Sequence, residues 1–453
     1  MQARDVALEA LNRPDSVREF PLQHLEHVLR QDKHVTQRDR AFIYNLVQGV
    51  FRWRLRLDWI IKQSVNFPFR KIEPPVLNVL RMALYQIFFM DRVPQSAAVN
   101  EAVKQAKAVG KGPAAGFVNG ILRRICRQKD KIAFPDKKED LAQYLSVFYS
   151  YPSWLVKKWM NELGTAPAER LLDAGNQIPH LVIRTNSLKI DRTGLIGLLE
   201  DEGVAAGPTH HSPDGLRLEG LKGGVVLLEA FKKGLFQVQG EAPQICSHLL
   251  NPVSGDSVLD LCAGLGGKST HLAELMGGKG RVVSLDISHH RLIMLLDSVR
   301  RLEINDIHPV VANADSNLGS LMKGRFDKIL VDAPCSGLGI ISKHPDGKWS
   351  RDEADIKRLS LLQERLLNRA VPLINNGGTM LYVTCTVSRE ENERVVSKLL
   401  TKNPGIILEN LKDHAPDWAM GFIDNQGFFK TLPHVHGMDG FFAALFRKVE
   451  LRR

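Results

Sequence analysis

The sequence predicts three regions: an all-α N-terminal domain, a small α+β module and a C-terminal α/β domain with a parallel sheet. Three observations lead to this prediction. The first 130 residues or so carry apolar side chains at helical spacing with almost no strand pattern. In the last 200 or so residues, short apolar runs alternate with helical segments, as they do in parallel sheets. A chain of 453 residues is also long enough for two or three separate cores.

The composition is that of a globular protein with a basic surface. Hydrophobic residues make up 44% of the chain and charged residues 25%. Lys and Arg total 61 against 50 Asp and Glu, a formal charge of +11, which favours nucleic acid over a membrane as the partner. The first residues contain no apolar signal core, and no apolar run is long enough to cross a bilayer.

The cysteines indicate a reducing compartment. They are odd in number, widely spaced and never form a Cys-x-x-Cys pair, so neither disulfides nor zinc are indicated. The five are Cys126, Cys246, Cys262, Cys335 and Cys385. A cytoplasmic protein without a metal fits this pattern, and we also expect no membrane association and a monomer.

Residues 1–135 are predicted to form the helical domain. Leu77, Leu80 and Leu84 recur at helical spacing and indicate a buried face. Basic residues interleave with these apolar positions, and a basic helical face can neutralise phosphates without reading sequence. A solvated helix surface is the alternative for any one of them. The basic residues are Arg38, Arg40, Arg52, Arg54, Arg56, Arg70, Lys71, Arg123, Arg124 and Arg127.

Four segments of this region resemble the NusB family of small helical RNA-binding domains. They are Arg38-Asp-Arg-Ala-Phe-Ile-Tyr-Asn-Leu-Val-Gln-Gly-Val-Phe-Arg, Leu80-Arg-Met-Ala-Leu-Tyr-Gln, Ala98-Val-Asn-Glu-Ala-Val and Gly116-Phe-Val-Asn-Gly-Ile-Leu-Arg-Arg. The resemblance implies RNA binding but supplies no chemistry.

A linker rich in Lys and Asp, at about residues 130–140, precedes the small module at 145–235. The pattern predicts a helix from Tyr151, a strand from Leu181, a second helix from Thr193 to Glu202 and short strands near Leu216 and Val225. An α+β module of this size suits an RNA-recognition-like fold.

The predicted C-terminal domain, residues 236–453, opens with a strand, a glycine turn and a helix. Val258 and Leu259 indicate a buried strand, and a helical pattern begins at Lys268. Between them lie Gly264, Gly266 and Gly267, whose missing side chains let the backbone approach a ligand near the free N–H groups of the helix. A plain tight turn would look similar, so this motif alone does not identify a site.

Polar residues follow each later strand of this domain. Asp286 ends the second strand, Asp315 follows the third, Asp332 and Cys335 follow the fourth, and Cys385 follows the fifth. Open parallel sheets bind ligands at the carboxyl edge of their strands, so we expect these side chains to lie around one site.

Two cofactors fit the carboxylates differently. A nicotinamide dinucleotide needs a seat for its pyrophosphate, whereas S-adenosylmethionine has a ribose, an adenine and a positive charge but no phosphate. Asp286 suits the ribose hydroxyls, Asp315 the adenine amine and the backbone after Leu261 the amino acid part. These residues favour S-adenosylmethionine.

The two thiols at neighbouring strand ends suggest chemistry on a pyrimidine, although a single buried cysteine is usually inert. C5 of a pyrimidine is a poor nucleophile until a thiolate adds to C6. One of Cys335 and Cys385 as nucleophile, with a second group assisting proton removal or release, would meet that need. Asp332 could hold or protonate the cytosine edge.

The same residues resemble the RNA 5-methylcytosine methyltransferases, most closely the RsmB/Sun family of bacterial 16S rRNA enzymes that carry a NusB-like domain. The matching motifs are Asp260-Leu-Cys-Ala-Gly-Leu-Gly-Gly-Lys-Ser, Asp332-Ala-Pro-Cys-Ser-Gly, His344-Pro-Asp-Gly-Lys-Trp, Thr384-Cys-Thr, Glu390-Glu-Asn-Glu and Asp439-Gly-Phe-Phe-Ala. The resemblance covers nearly the whole chain and implies a Rossmann-like class I methyltransferase domain acting on 16S rRNA.

The resemblance also implies residue roles. Cys385 is the nucleophile and Cys335 assists product release, with Asp332 and Lys268 completing the catalytic set. The cofactor-binding residues that it implies are Cys262, Ala263, Gly264, Leu265, Gly266, Gly267, Lys268, Asp286, Asp315 and Asp332.

One departure concerns the glycine loop, which in the family usually reads Cys-Ala-Ala-Pro-Gly-Gly-Lys. Here Gly264-Leu265 replaces Ala-Pro, which raises the entropic cost of ordering the loop by about 0.5–1 kcal/mol. We expect weaker cofactor binding with the chemistry retained.

Two alternatives remain open. A tRNA cytosine-C5 methyltransferase would carry the same domain and cysteines. A non-catalytic RNA-binding or antitermination-type factor would keep the helical domain without needing Asp286, Asp315 or both thiols.

Overall fold

The computed structural model describes residues 2–12, 25, 29, 35–110, 113–221, 223–318 and 326–450. The chain forms two compact units. The first contains Met1–Ile178 and Ile341–Ser350, and the second contains Pro179–Ile340 and Arg351–Arg453. The domain boundaries predicted from the sequence, near residues 135, 145 and 235, stay predictions.

The first unit is helical throughout its described residues. Its helices are α1 (Ala3–Leu11), α2 (Gln37–Ser64), α3 (Pro74–Phe89), α4 (Gln95–Val109), α5 (Ala114–Arg127), α6 (Leu141–Tyr149), α7 (Ser153–Leu163) and α8 (Thr165–Ala174). Thr36 caps α2 by accepting a hydrogen bond from Asp39 N at 3.1 Å, and Pro74-Pro75 starts α3 where its missing N–H costs nothing. The predicted helical face of Leu77, Leu80 and Leu84 is buried, with Leu80 and Leu84 fully inaccessible.

A segment distant in sequence, Ile341–Ser350, also belongs to the first unit. Its Lys348 is fully buried and donates hydrogen bonds to Arg52 O at 3.0 Å, Ser150 O at 3.2 Å and Asn176 Oδ1 at 2.7 Å. Burial lowers the pKa of Lys348 well below its usual value. Trp349 Nε1 donates to a further backbone carbonyl of α2 at 2.7 Å.

The predicted basic face of the helical region is wrong at two positions. Arg52 is only 3% exposed and donates from Nη2 to Ser342 O at 2.6 Å. The guanidinium carbon of Arg56 lies 4.8 Å and 4.7 Å from the ring centroids of Phe134 and Phe148. These two arginines stabilise packing within the unit, because their long side chains reach partners from within the apolar face.

The second unit begins with a four-stranded antiparallel sheet in the order β2-β3-β1-β4. Its elements are β1 (Leu181–Thr185), α9 (Arg192–Asp201), β2 (Ala205–Pro208), β3 (Gly215–Glu219), α10 (Glu229–Lys232) and β4 (Phe236–Val238). The βαββαβ order is that of the ferredoxin-like fold, which RNA-recognition modules share, so the predicted α+β class is confirmed. The last strand lies just beyond the predicted end of the module at residue 235.

The strand predicted at Val225 is wrong. Val225–Leu227 is a short 3-10 helix, and the side chains of Val226 and Leu227 are more than half exposed. An apolar run of this length forms a strand only where a partner buries it, and here the sheet is completed by Phe236–Val238 instead.

The main sheet of the second unit has the strand order β10-β12-β9-β8-β5-β6-β7 among the described residues. Its elements, with the helices between them, are α11 (Glu241–Leu250), β5 (Ser257–Asp260), α12 (Gly267–Leu275), β6 (Arg281–Asp286), α13 (His289–Leu302), β7 (Ile307–Val311), β8 (Phe326–Asp332), α14 (Glu353–Ala370), β9 (Ile374–Thr384), α15 (Glu393–Lys402), β10 (Ile406–Glu409), β11 (Phe429–Lys430), α16 (Pro433–His436) and β12 (Phe442–Lys448).

The predicted strands β5 to β9 pair with one another in parallel orientation. Antiparallel strands were not predicted, yet β12 pairs with β9, β10 and β11 in that orientation. Side chains of successive strand residues point to opposite faces of the sheet, so Val258 packs in one hydrophobic core and Leu259 in the other. A sheet covered on both faces explains why its strands read as continuous apolar runs.

No helix among the described residues is both long enough and apolar enough to span a bilayer.

Candidate functional site

The glycine loop connects β5 to α12 with two residues in the left-handed region. Gly264 has a φ of +56° and Gly266 a φ of +79°. Gly266 N donates to Ala263 O at 2.9 Å, which closes the turn, and a Cβ at Gly266 would lie 2.5 Å from Leu295 Cγ. Glycine is therefore required at position 266 by both conformation and space, whereas Gly264 has open space around it.

Asp286 ends β6 beside this loop. Its Oδ2 accepts from Gly264 N at 2.9 Å and its Oδ1 from Ser288 N at 2.7 Å. The side chain is nearly buried, yet each carboxylate oxygen can accept a further bond. The predicted juxtaposition of Asp286 with the loop is present in the structure.

Lys268 and Asp332 form a short ion pair at the start of α12 and the end of β8. Lys268 Nζ lies 2.6 Å from Asp332 Oδ2. Burial alone would lower the pKa of Lys268, but the charge and hydrogen bond of Asp332, together with Cys246 and Asp260, outweigh it and raise the pKa. Lys268 therefore stays charged and fixes one oxygen of Asp332.

The two predicted thiols lie together. Cys335 Sγ is 3.2 Å from Cys385 Sγ, and both cysteines are free. They meet because Asp332 and Val383 are partners in the parallel ladder of β8 and β9, so both loops leave the sheet at the same edge. The hydrogen bond with Cys385, together with burial, raises the pKa of Cys335 well above its usual value.

Close backbone packing holds the chain beyond Cys335. Gly339 N donates to Cys385 O at 2.9 Å. A Cβ at Gly339 would lie 1.9 Å from Gly440 O, so a larger residue does not fit there. The motif Asp439-Gly-Phe-Phe-Ala thus touches the cysteine loops through its glycine.

Asp315 lies in the turn after β7, where both of its carboxylate oxygens accept from Arg365 Nε, at 2.9 and 3.0 Å.

Cys262 was also expected at the site. Burial raises the pKa of its thiol well above the usual value, and nearby carboxylates, Asp260 first among them, raise it further. Burial and the neighbouring carboxylates therefore hold the Cys262 thiol in its neutral form.

Sequence reasoning missed a buried arginine that supports the loop from the four-stranded sheet. Arg184, on β1, donates from Nη1 to Gly267 O at 2.7 Å and from Nη2 to Thr270 Oγ1 at 3.0 Å. It also pairs with Glu274 at 2.7 Å, with both side chains essentially inaccessible. The isolated arginine within an apolar strand was the available signal, since a buried arginine needs partners.

A second feature missed is a cluster of two histidines about one carboxylate. Asp214 Oδ2 lies 2.6 Å from His248 Nε2 and 3.1 Å from His271 Nε2. Burial lowers the pKa of His271 to about 3, so its ring is neutral. These three side chains have the types and spacing of metal ligands, but hydrogen bonds to Asp214 already engage both facing ring nitrogens. The absence of a metal stays a prediction.

Family models match three parts of the chain. The 16S rRNA methyltransferase RsmB/F model matches residues 247–447, the NusB family model matches 1–127, and the ferredoxin-like domain model of RsmF/B-like methyltransferases matches 151–222. This combination, with a mixed sheet that carries a glycine loop, defines a multidomain RNA methyltransferase.

Proteins of similar length carry the same arrangement. The probable ribosomal RNA small subunit methyltransferase B of Bacillus subtilis is 34% identical over 98% of both chains, and the methyltransferase B of Proteus mirabilis is 33% identical over 92% of both. The chain therefore belongs to the ribosomal RNA small subunit methyltransferase B family. The predicted enzyme class and fold class are confirmed.

Solved structures agree with the fold. The crystal structure of PH0851 has a TM-score of 0.81 and 28% identity, covering 99% of this chain and 98% of that one. The crystal structure of NSun6 from Pyrococcus horikoshii with SFG has a TM-score of 0.60 and 25% identity, covering 67% of this chain and all of that one.

Proposed function

We propose that this enzyme transfers a methyl group from S-adenosylmethionine to C5 of a cytosine in 16S rRNA, through a covalent bond between Cys385 and C6. The observation that carries the proposal is the pair of thiols, 3.2 Å apart, beside the Lys268–Asp332 ion pair. Family membership supports the rRNA substrate, and the names of the relatives support the small subunit.

The residues around the glycine loop fit S-adenosylmethionine. Asp260 Oδ1 is buried and has no hydrogen-bond partner among the described residues, so it can accept a hydrogen bond from the amino group of the amino acid part. Asp286 would accept from the ribose hydroxyls. Three apolar side chains at the ends of neighbouring strands are at least half exposed and would cover the adenine: Leu265, Ile287 and Val311. The remaining loop residues, Cys262 to Gly267, would line the cofactor through their backbone, and Asp315 would reach the adenine amine.

S-adenosylmethionine would supply a methyl group on a positively charged sulfur, which leaves as a neutral thioether. Before that step, the Cys385 thiolate adds to C6, and the electron pair of the C5–C6 double bond becomes available at C5. Asp332, held by Lys268 at Oδ2, holds the cytosine edge by accepting from its exocyclic amine, and the Lys268 cation beside it offsets the negative charge that develops on the ring. C5 then takes the methyl group.

Release requires loss of the C5 proton and cleavage of the bond between Cys385 and C6. The proton leaves to a base, the C5–C6 double bond forms again, and the electron pair of the broken bond returns to sulfur. Cys335 is held in its protonated form, since its pKa is raised well above the usual value by the hydrogen bond with Cys385 and by burial. Its S–H can donate to the departing sulfur of Cys385, which gives Cys335 its role in release.

The test is transfer of labelled methyl from S-adenosylmethionine to unmodified small-subunit rRNA, with bulk tRNA as a parallel substrate. We expect label on the rRNA, mapped to C5 of one cytosine. Label on tRNA alone would mean that the substrate is tRNA, with the reaction as proposed. No label on either RNA, with no binding of the cofactor in calorimetry, would contradict the proposal and favour a non-catalytic RNA-binding factor.

A further inference from the structure

A buried carboxylate joins the two cysteine loops. Glu391 lies in the turn between β9 and α15, with no exposed side-chain surface. Its Oε1 accepts from Ser336 N at 2.8 Å, and its Oε2 accepts from Ser336 Oγ at 2.5 Å and Thr386 Oγ1 at 3.2 Å. Ser336 follows Cys335 directly and Thr386 follows Cys385 directly, so one side chain binds the neighbour of each thiol.

The next residue, Asn392, holds both sides of Cys385. Its Oδ1 accepts from Thr384 Oγ1 at 2.6 Å, and its Nδ2 donates to Thr386 O at 3.0 Å. The residue is only 4% exposed. Because Thr384 and Thr386 flank Cys385, these two bonds fix the backbone from which the thiol projects.

Gln363, from α14, supports the same arrangement from a third direction. Its Nε2 donates to Glu391 Oε1 at 3.1 Å and to Pro334 O at 2.9 Å, immediately before Cys335. Hydrogen bonds between buried polar groups in a network of this kind restrict the backbone to one arrangement.

We propose that Glu391 and Asn392 are positioning residues that hold Cys335 and Cys385 at the separation their chemistry requires. Their hydrogen bonds go to residues beside the thiols and not to the sulfur atoms. They act through Ser336, Thr384 and Thr386, and their consequence for methyl transfer rests on the function proposed above. The ladder of β8 and β9 brings the two loops to the same edge of the sheet, and these hydrogen bonds then fix each loop, since no disulfide joins them.

The first experiment measures the thiol separation without RNA. A diazene oxidant converts the two thiols to a disulfide: the S–S bond forms as the N=N bond is reduced to a hydrazine, which takes both protons. We expect the rate of the Cys335–Cys385 disulfide, followed by mass spectrometry of the full chain, to fall at least about tenfold in Glu391→Ala, because the thiols lose their high effective concentration. An unchanged or faster rate in this variant would overturn the proposal.

Two further variants separate positioning from general stability. Glu391→Gln keeps an oxygen for Ser336 N–H, and its amide can donate to the hydroxyls of Ser336 and Thr386, so it should stay within about threefold of the parent rate. Glu364→Ala removes another buried carboxylate of the same unit, one that pairs with Lys398 and Lys402, and should also stay within about threefold. If Glu391→Ala and Glu364→Ala slow disulfide formation equally, the effect comes from general stability and not from positioning of the thiols.

The second experiment measures the rate of methyl transfer to RNA. In single turnovers, Glu391→Ala should lower the rate of methyl transfer by about ten- to a hundredfold, with the dissociation constant of S-adenosylmethionine nearly unchanged. An unaltered rate with a weakened cofactor would overturn the positioning role. If the parent enzyme methylates no RNA, the proposed function fails, while the disulfide rates still decide whether Glu391 positions the thiols.

Discussion

Asp260, at the end of β5, combines deep burial with a hydrogen bond from Ser269 Oγ at 2.7 Å. Burial raises the pKa of this carboxyl from 3.8 to about 7. The folded protein therefore retains a proton on Asp260 that the unfolded chain releases between about pH 4 and about pH 7. As the pH rises through this window, the free energy of unfolding falls.

We predict that Asp260→Asn flattens this dependence. Between about pH 5 and about pH 8 the free energy of unfolding should fall more in the parent than in the variant, by on the order of 2 kcal/mol. The reason is that Asp260 titrates at a higher pH in the folded chain than in the unfolded chain, whereas Asn does not titrate. Urea denaturation of both proteins at the two pH values measures the difference. If the free energy of unfolding falls equally in parent and variant, Asp260 is ionised in the folded protein over this whole pH range.

At the residue scale, the sequence predicted which side chains converge at the sheet edge better than it predicted the residues that support them. Cys335, Cys385, Asp332 and Asp286 were predictable because parallel strands end at one edge, so residues after each strand must converge. Glu391 was visible only as part of a motif. Its partner Ser336 lies 55 residues earlier, and nothing in the local pattern shows that a polar loop residue is buried.

At the element scale, the turn from β5 to α12 contains two glycines that differ in their surroundings. We predict that Gly264→Ala lowers the free energy of unfolding by about 1 kcal/mol, the cost of a left-handed backbone alone. Gly266→Ala should cost about 2–4 kcal/mol, since its Cβ also meets Leu295.

Chemical denaturation compares these two glycine variants, and calorimetry with S-adenosylmethionine should show the larger loss of affinity in Gly266→Ala. Equal effects of the two substitutions on stability would mean that the loop moves away from Leu295 at little cost.

The contact between β1 and α12 depends on the buried pair of Arg184 and Glu274. We predict that Arg184→Ala lowers the free energy of unfolding by about 3–5 kcal/mol, because it leaves Glu274 buried without a partner. The double variant Arg184→Met with Glu274→Met should lose less than Arg184→Ala, since it removes both charges. Guanidinium denaturation of the three proteins tests this, and a double variant less stable than Arg184→Ala would contradict it.

The order of elements was predictable from periodicity, but the full strand order was not. The strands β10, β11 and β12 join the sheet through antiparallel pairs whose partners lie far apart in sequence. Val225–Leu227 shows the converse case, where an apolar run without a strand partner forms a 3-10 helix.

At the scale of the whole molecule, the charge of +11 favours binding to RNA through its phosphates. Arg123 and Arg127 are exposed on α5, in the region that matches the NusB family. We predict that Arg123→Glu with Arg127→Glu weakens binding to small-subunit rRNA by about tenfold or more at moderate salt and makes the affinity less dependent on salt concentration.

Titration of fluorescent rRNA at several salt concentrations measures this change. The matched control is Lys232→Glu with Lys233→Glu, the same change of charge on exposed residues of the second unit. Equal losses for both pairs would mean that affinity follows net charge and that α5 has no particular role.

The most direct test of the two-cysteine chemistry is to look for RNA bound covalently to the enzyme. After incubation with rRNA and S-adenosylmethionine, Cys335→Ser should accumulate an RNA adduct that survives denaturing electrophoresis, because release from C6 is slowed. Cys385→Ser should form no adduct and lose at least about a thousandfold of its methyl transfer rate, because no thiolate can add to C6. Normal methylation by Cys385→Ser, or an adduct that forms without Cys385, would contradict the assignment of Cys385 as the nucleophile.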